Sequence, residues 1–280
     1  MIKNNKIFIN LAPNGMVPKK NDNPNVPINP DEIVDQVLTC SDYGLSMVHI
    51  HARDSKEEPT SDKKVFSKIF KKIRKYNRDI IIVATTSGRV KVDFKSRSEV
   101  LDLKGEAKPD MASLTMGSLN FIQQASMNSP KMIVSLIEKM NKNKILPEIE
   151  IFDLGMLNYT NYLIKKKILK PPFYINIILG NIASAQADFA TVSNFLNNVP
   201  NGAIVSLGGI GKSQYKAHLI SIANIGLRGV RVGIEDNLRD QKNNYLSNIE
   251  EVKKINSICK ILNINIVKPK ELRKILKLSN

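Results

Sequence analysis

The chain of 280 residues is 42% hydrophobic and 24% charged, with a formal net charge of +16 at neutral pH. This composition is typical of an ordinary soluble globular protein, and the length suits one domain, residues 1–280, with a well-buried core. No stretch approaches the roughly 18 apolar residues of a membrane helix, and the first residues lack the pattern of a signal peptide. We therefore expect a cytoplasmic protein without a membrane partner. Cys40 and Cys259 lie far apart on helical patterns, which predicts reduced structural thiols.

The strong positive charge raises the question of nucleic-acid binding. The lysines are spread over predicted helix faces, as at positions 71–72, 142–144 and 165–167, and they do not alternate with aromatic residues. No zinc-finger spacing and no RNA-recognition motif is present in the sequence. We therefore expect a solvated basic surface that suits a phosphate-bearing ligand, and no nucleic-acid partner.

Short apolar runs alternate with segments of helical periodicity along the chain. In chain order, the predicted strands are Ile7–Pro13, Met47–Ile50, Ile80–Thr85, Met111–Leu114, Leu146–Ile151, Phe173–Leu179, Ala203–Leu207 and Gly229–Val232. The predicted helices are Asn29–Tyr43, Asp62–Tyr76, Ser98–Leu103, Pro130–Asn141, Met156–Lys167, Ala187–Asn197, Lys212–Ile225, Asn248–Leu262 and Pro269–Leu276. This alternation predicts an α/β fold, a closed (β/α)8 TIM barrel, in which reacting groups gather at the carboxyl ends of the strands.

Two of the three histidines, His49 and His51, lie at the end of the second predicted strand. Strand side chains alternate between faces, so both imidazoles point the same way, one pleat apart. This spacing lets two imidazoles bind one ion, and neutral imidazole is a common metal ligand. We therefore predict a metal site, with a pair of satisfied core histidines as the alternative.

A catalytic zinc typically has three protein ligands and one open position. Glu235 follows the last predicted strand, which can face the second strand across the mouth of a closed barrel. It is the natural third ligand, although Glu148 and Glu150 compete for that role. Arg231 and Asp236 flank it, and a carboxylate held by a guanidinium suits a general base as well as a structural salt bridge.

The segment Gly208–Ser213 is rich in glycine and begins a predicted helix. A Walker A motif requires glycine at the position of Ser206, which excludes a P-loop. The backbone amides of the segment are still expected to suit an anion such as a coenzyme phosphate. The third histidine, His218, lies within the helix and is predicted to belong to the surface or the packing.

The polar motifs at the ends of the predicted strands together resemble the β-keto acid cleavage enzyme family. From Ile9 to Arg273, the matching segments in chain order are Pro13–Gly15, Val48–Asp54, Thr86–Gly88, Leu114–Phe121, Pro147–Asp153, Gly208–Gly211 and Val230–Asn237. The histidine segment and the last segment are the most specific. Their occurrence together in the same order argues against a chance match.

The resemblance implies a zinc-bearing, tetrameric barrel that converts a β-keto acid and acetyl-CoA into acetoacetate and a new acyl-CoA by a retro-Claisen reaction. His49, His51 and Glu235 match the zinc ligands of the family, and the zinc would polarise the keto oxygen and stabilise the enolate. Arg231 and Asp236 match the pair that removes the α-proton of the substrate. The catalytic residues are then Asp236, Arg231 and Ser87, and the substrate-binding residues are Asn14, Thr86, Ser87, Gly88, Arg89, Thr115 and Glu150.

The chain departs from the family pattern in two places. The family often has Ser-Thr-Gly-Gly after the third strand, where this chain has Thr86-Ser87-Gly88-Arg89. Either hydroxyl is therefore a candidate, and Arg89 is expected to add a contact to a carboxylate or a phosphate. The branch of the family with amino substrates has a glutamate where this chain has Met16 and Val17, so we expect a neutral or anionic substrate.

Two alternatives remain open on the sequence alone. A metal-dependent aldolase or hydrolase on the same barrel would use the same ligands without CoA. A basic nucleic-acid-binding barrel would need no catalytic group.

Overall fold

The computed structural model of the chain describes residues 5–90, 92–223 and 228–278. The barrel strands are β1 (Lys6–Leu11), β2 (Met47–Ile50), β3 (Ile81–Ala84), β4 (Met111–Thr115), β5 (Leu146–Ile151), β6 (Tyr174–Leu179), β7 (Ile204–Gly209) and β8 (Gly229–Val232). All eight run parallel, and each pairs with the next along the chain. The last strand returns to the first, with Phe8 opposite Gly229 and Leu11 opposite Val232. The predicted (β/α)8 barrel is confirmed.

Helices follow the strands on the outside of the barrel. They are α1 (Pro30–Ser41), α2 (Lys63–Tyr76), α3 (Phe94–Ser98), α4 (Pro130–Lys142), α5 (Leu154–Lys165), α6 (Phe189–Asn198), α7 (Ser213–Ala223), α8 (Asn248–Ile261) and α9 (Pro269–Ile275). The first helix begins with a capping box, because Asn29 accepts from the amide of Glu32 and the carboxylate of Glu32 accepts from the amide of Asn29.

For most helices, the observed ends differ from the predicted ends by a few residues. Local capping contacts determine where a helix begins and ends. The segment predicted as one helix at Ser98–Leu103 is a 3₁₀ turn at Glu99–Asp102, and α3 precedes it. The helix starts earlier than predicted because Asp93 accepts from the amide of Ser96. The predicted end of the seventh helix, Ile225, lies outside the described residues.

The inside of the barrel changes from apolar to polar along the strands. Near their amino ends the inward side chains are large and apolar, and α9 closes this end; the cluster includes Phe8, Met47, Ile81, Met111, Tyr174, Leu272 and Leu276. One pleat further, the inward side chains are buried and polar: Asn10, His49, Ser113, Glu148, Asn176 and Ser206. The polar side chains therefore begin in the middle of the barrel and face its carboxyl-terminal mouth.

Short strands extend beyond the barrel. A hairpin of Ala52–Arg53 and Pro59–Thr60 follows β2, and a hairpin of Leu119–Asn120 and Ala125–Ser126 follows β4. The strand Asn265–Ile266 pairs with the start of β1. Within the described ranges, no helix is both long enough and apolar enough to cross a lipid bilayer. Both cysteines are buried free thiols, as predicted.

Candidate active site

His49, His51 and Glu235 converge at the carboxyl-terminal mouth of the barrel. The Nε2 atoms of the two imidazoles are 3.1 Å apart, and Oε1 of Glu235 lies 3.2 Å from Nε2 of His51. One ligand atom of each residue lies within 4.8 Å of the others. The fold thus brings together the three residues that the sequence predicted as metal ligands.

This donor set fits a divalent ion, since two imidazoles and a carboxylate form a usual catalytic zinc site. The two Nε2 atoms face each other, so one ion can accept a lone pair from each of them. Among the described residues, Oε2 of Glu235 is buried without a hydrogen-bond partner and is available to an ion. A second group, formed by His49, Glu148 and Glu150, shares one histidine. Because Nδ1 of His49 already contacts Glu148, the first group is the better site.

Glu148 holds the imidazole of His49 in place. Its Oε2 lies 2.6 Å from Nδ1 of His49, and its Oε1 accepts from Asn10 at 2.9 Å and from Asn176 at 3.1 Å. Carboxylates outside the ligand set commonly orient metal-binding histidines in this way. The sequence predicts Glu148 only as a competing metal ligand. The available signal was an acid in the middle of an apolar strand, in phase with Glu150.

The two histidines differ in their electrostatics. Burial disfavours the charged form of both imidazoles. For His49 the carboxylates of Glu148 and Glu235 outweigh burial and raise its pKa to about 9. For His51 burial outweighs Glu235 and lowers its pKa to about 4. Burial also opposes the charge of Glu235, but His51 and Arg231 hold the pKa of that carboxyl well below its ordinary value. Glu235 is therefore an anion at neutral pH, the state that binds a cation.

Arg231 and Asp236 form a bidentate ion pair beside these ligands. Nε of Arg231 donates to Oδ2 of Asp236 at 2.7 Å, and Nη2 donates to Oδ1 at 3.1 Å. Nη2 also lies 3.1 Å from Oε1 of Glu235. Burial raises the pKa of Asp236 although Arg231 opposes this change. A raised pKa makes a carboxylate a better general base near neutral pH.

His218 contacts the backbone of Arg231 in this pair. It is buried, and its Nε2 donates to the carbonyl of Arg231 at 3.0 Å. Of the two roles predicted for His218, the structure supports packing.

The turn after β1 positions other groups of the site. The side-chain amide of Asn14 donates to the carbonyl of His51 at 3.0 Å, and Oδ1 accepts from the amide of His51 at 3.3 Å. Gly15 has a φ of +64°, and a Cβ added to it would lie 2.6 Å from Cγ of Glu235. Arg53 holds the turn by donating to the carbonyl of Gly15 at 2.9 Å. The geometry does not support the predicted contact of Asn14 with substrate, because its side chain is used to fix His51.

Thr86 turns away from the pocket after β3. It is buried, and its hydroxyl donates to the carbonyl of Ser113 at 2.6 Å. Gly88 also faces away, since a Cβ there would lie 2.7 Å from Nη1 of Arg97. The geometry therefore supports neither as a substrate contact, and of the two hydroxyls that the sequence left open it favours Ser87, which lines the pocket.

Thr85 also lines the pocket, and sequence reasoning missed it. The signal was strand parity: Ile81 and Val83 face the barrel interior, so position 85 faces it as well.

Thr115 and Glu150 line the pocket and contact each other. The hydroxyl of Thr115 donates to Oε2 of Glu150 at 2.7 Å, and Oε1 of Glu150 lies 3.8 Å from Nη1 of Arg231. Burial raises the pKa of Glu150. Both predicted residues thus lie near the predicted base and beside its arginine.

Two backbone amides of the glycine-rich segment Gly208–Ser213, which the sequence predicts to be available to an anion, are used within the protein. The amide of Ile210 donates to the carbonyl of Leu179 at 2.8 Å, and the amide of Gly211 donates to the carbonyl of Asp236 at 2.7 Å. These two amides are therefore not available to the expected anion. The segment instead fixes the backbone of Asp236.

Arg89 and Phe121 complete one wall of the pocket. The guanidinium carbon of Arg89 lies 3.5 Å from the centroid of the Phe121 ring, and this ring packs edge-on against Phe152. Phe121 was not predicted as a site residue. Taken together, the pocket combines a place for a Lewis-acidic ion, a carboxylate base and hydroxyl donors. This arrangement can polarise a carbonyl and remove a proton from the adjacent carbon.

Comparison with solved structures shows the same fold. ObcA in its binary complex with oxaloacetate superposes with a TM-score of 0.77 at 16% sequence identity, and the match covers 92% of this chain and 68% of that chain. At this identity the likeness concerns the fold alone.

Sequence comparison gives the family. A 3-keto-5-aminohexanoate cleavage enzyme of Acetoanaerobium sticklandii is 31% identical over 276 residues, which cover 98% of this chain and 99% of that protein. A 3-oxoadipate:acetyl-CoA acetyltransferase of Cupriavidus necator is 30% identical over 256 residues, which cover 90% of this chain and 88% of that protein. The family model described as beta-keto acid cleavage enzyme matches residues 6–278. The chain is therefore an enzyme that belongs to the β-keto acid cleavage enzyme family.

Proposed function

We propose that the protein uses acetyl-CoA to cleave a β-keto acid, giving acetoacetate and a new acyl-CoA. The observation that carries this proposal is the adjacency of His49, His51 and Glu235 to the Arg231–Asp236 pair, with Nη2 of Arg231 3.1 Å from Glu235. The names of several relatives pair a keto acid with acetyl-CoA, which supports CoA as the co-substrate.

We assign zinc to the group of His49, His51 and Glu235, because its donors suit that ion. When bound, the ion would supply a Lewis acid for the keto oxygen of the substrate. Glu148 keeps Nε2 of His49 directed toward the ion position through its 2.6 Å contact with Nδ1.

Asp236 is the proposed base that takes the proton from the carbon between the keto and carboxylate groups. Arg231 fixes both of its oxygens, so the carboxylate cannot rotate away from the substrate. The carbanion then bonds to the carbonyl carbon of acetyl-CoA, and the thioester bond breaks and frees the CoA thiolate. The thiolate bonds to the former keto carbon as the original carbon–carbon bond breaks, which leaves the acyl group on CoA. The departing carbanion takes back a proton and is released as acetoacetate. Ser87 and Thr115 are the proposed hydroxyl contacts of the substrate carboxylate.

A labelling experiment tests this reaction. The protein is incubated with a panel of β-keto acids and acetyl-CoA that carries ¹³C in both acetyl carbons, and the products are identified by mass spectrometry. The expected result is acetoacetate labelled in its two methyl-ketone carbons, together with an unlabelled acyl-CoA. Cleavage that proceeds equally well without acetyl-CoA would contradict the proposal and support the aldolase or hydrolase alternative.

The metal assignment has its own test. Replacing both histidines by alanine is expected to abolish tight zinc binding and activity while the far-UV circular dichroism is retained, because the ligands lie at the barrel mouth and outside its apolar layer. Full zinc occupancy in the double variant, measured by elemental analysis, would reject the assignment. Salt-dependent retention of that variant on DNA would favour the nucleic-acid alternative.

We further propose that the substrate carries no positive charge. Met16 lines a small cavity that shares Ser87 with the main pocket, and it offers an apolar surface where an ammonium needs an acid. We expect kcat/KM for a neutral or anionic β-keto acid to exceed that for 3-keto-5-aminohexanoate by at least about 10-fold, and Met16→Glu to reduce this ratio. A ratio of one in the parent protein would contradict the assignment.

The cytoplasmic location, which is expected from the sequence pattern, and the tetrameric assembly, which the sequence resemblance implies, stay predictions. Light scattering during size-exclusion chromatography measures the assembly, and cell fractionation measures the location.

A further inference from the structure

Two arginines line the pocket, and they differ in how their charge is balanced. Arg231 lies 2.7 Å from Asp236 and 3.1 Å from Glu235. The guanidinium carbon of Arg89 instead lies over the ring of Phe121, 3.5 Å from its centroid. Within residues 5–90, 92–223 and 228–278, no carboxylate oxygen lies within 4.0 Å of the guanidinium nitrogens of Arg89. The carboxylates of Glu235, Glu150 and Asp236 favour its charge from a greater distance, and Arg89 is thus the pocket arginine without a direct ion pair in this part of the chain.

The stacking leaves the hydrogen-bonding edge of Arg89 available. The ring of Phe121 covers one face of the guanidinium, whereas the N–H groups lie in its plane. Burial against the wall lowers the pKa of Arg89, although the guanidinium stays charged in proteins. A planar fork of N–H donors matches a carboxylate in two parallel hydrogen bonds. The natural partner of this edge is therefore an anionic group of the ligand.

The carboxylate beside the reacting carbon is a poor candidate for that partner. It is attached to the carbon that loses its proton, so it has to stay near Asp236 and the proposed metal ligands at the bottom of the pocket. His51 is 5% exposed and Arg231 is 2% exposed, whereas Arg89 is partly exposed and belongs to the loop after β3, where it contacts Phe121 of the hairpin after β4. Ser87 and Thr115, which also line the pocket, are the hydroxyl contacts proposed above for the inner carboxylate. Arg89 is then left for the other end of the substrate.

We propose that Arg89 binds a second carboxylate at the far end of the substrate, so that the protein selects β-keto diacids. This inference rests on the proposed function and names its substrate class. The apolar wall at Met16 agrees with it, because that wall contains no acid that would hold a cation instead. Phe121 has a positioning role, since it holds the guanidinium against the wall.

A matched pair of substrates tests the proposal. One is a six-carbon β-keto diacid, and the other is the six-carbon β-keto monoacid that ends in a methyl group. We expect the parent protein to prefer the diacid by at least about 10-fold in kcat/KM, as expected for a hydrogen-bonded charge pair. Arg89→Gln is expected to lower the ratio of kcat/KM for the diacid to kcat/KM for the monoacid by at least about 10-fold. Arg89→Lys, which keeps the charge but not the fork of donors, is expected to give a ratio between those of the parent protein and Arg89→Gln.

Lys212→Gln is the matched control, because Lys212 is an exposed cation at the same end of the barrel and does not line the pocket. It is expected to leave the ratio of the two substrates unchanged. An equal loss on both substrates in Arg89→Gln would overturn the proposal by assigning Arg89 to the inner carboxylate. No loss on either substrate would overturn it as well.

A binding experiment separates this proposal from the proposed function. Calorimetry compares the binding affinities of a six-carbon diacid and a six-carbon monoacid that both lack the keto group. Neither compound can react. Tighter binding of the diacid, lost in Arg89→Gln and retained in Lys212→Gln, supports the role of Arg89 even if no β-keto acid is cleaved. Equal binding of the two acids by the parent protein would reject that role even if cleavage occurs.

Discussion

Nδ1 of His49 lies 2.6 Å from Oε2 of Glu148, although 99 positions separate the two residues along the chain. Asn10 and Asn176 donate to the other oxygen of Glu148, so the carboxylate is fixed from both sides inside the barrel. Only Nε2 of His49 is left for the pocket. A buried hydrogen-bond network in the barrel therefore sets the direction in which one proposed metal ligand points.

Glu148→Gln is expected to weaken zinc binding by about 10- to 100-fold, because the amide keeps the shape of the side chain but not its charge. Competition with a chelator of known affinity measures this change. Glu150→Gln is the matched control on the same strand, since Glu150 is 4.0 Å from Nδ1 of His49 and accepts from Thr115 instead. If the two variants bind zinc with equal affinity, the proposed positioning role of Glu148 is wrong.

Asp236→Asn is expected to keep zinc and to lower turnover by about 100-fold or more, as the loss of a general base does. In the parent protein, Arg231 donates to both oxygens of Asp236. The amide of the variant has one acceptor oxygen, so it cannot accept these two hydrogen bonds on separate oxygens. The direct measurement is exchange of the α-proton of a bound keto acid with deuterated water. Exchange at the parental rate would show that another group is the base.

The fold was predictable because its signals are local. The apolar face of a strand and the apolar stripe of a helix each depend on a few consecutive residues. For example, the strand Leu146–Ile151 was predicted with its observed bounds. Within the site, His49 and His51 were predictable for the same reason, since they share one strand face. The contact between His49 and Glu148 was not, because it depends on the packing of β2 and β5 across the barrel interior.

Strand parity could have corrected one site prediction. Ser87 was predicted and lines the pocket, whereas Thr86 turns toward Ser113 and Thr85 faces inward. Counting in steps of two from Val83 reaches Thr85. No such rule places Arg89 on Phe121, because that contact joins the loop after β3 to the hairpin after β4.

Gly15→Ala is expected to weaken zinc binding and to lower activity. The added Cβ would lie 2.6 Å from Cγ of Glu235, and the φ of +64° is unfavourable for alanine by about 1–2 kcal/mol. Gly105→Ala is the matched control, because Gly105 has a φ of +57° and open space around its missing Cβ. Both variants should lose stability in urea through the strained φ, Gly15→Ala at least as much as Gly105→Ala, while only Gly15→Ala loses zinc affinity. Equal zinc affinity in the two variants would mean that Glu235 adapts to the added methyl group.

The burial of His218 is expected to lower the stability of the protein at acid pH. His218 is buried, and its Nε2 donates to the carbonyl of Arg231. Burial lowers its pKa to about 4, and the charge of Lys254 acts in the same direction. Because an unfolded histidine has a pKa of about 6.5, the unfolded chain binds a proton in a range of pH where the folded protein does not.

The contribution of His218 to stability is therefore complete above about pH 6.5 and is lost as the pH falls toward about 4. The loss approaches roughly 3 kcal/mol if only this group is counted. His218→Gln keeps a donor for the carbonyl of Arg231 and removes the titration, so urea unfolding should show a smaller drop in free energy between pH 7 and pH 4 (about 3 units) than in the parent protein. The difference between the two proteins cancels the carboxyl groups that titrate in both. Parallel pH profiles would show that the imidazole of His218 is protonated in the folded protein as readily as in the unfolded chain.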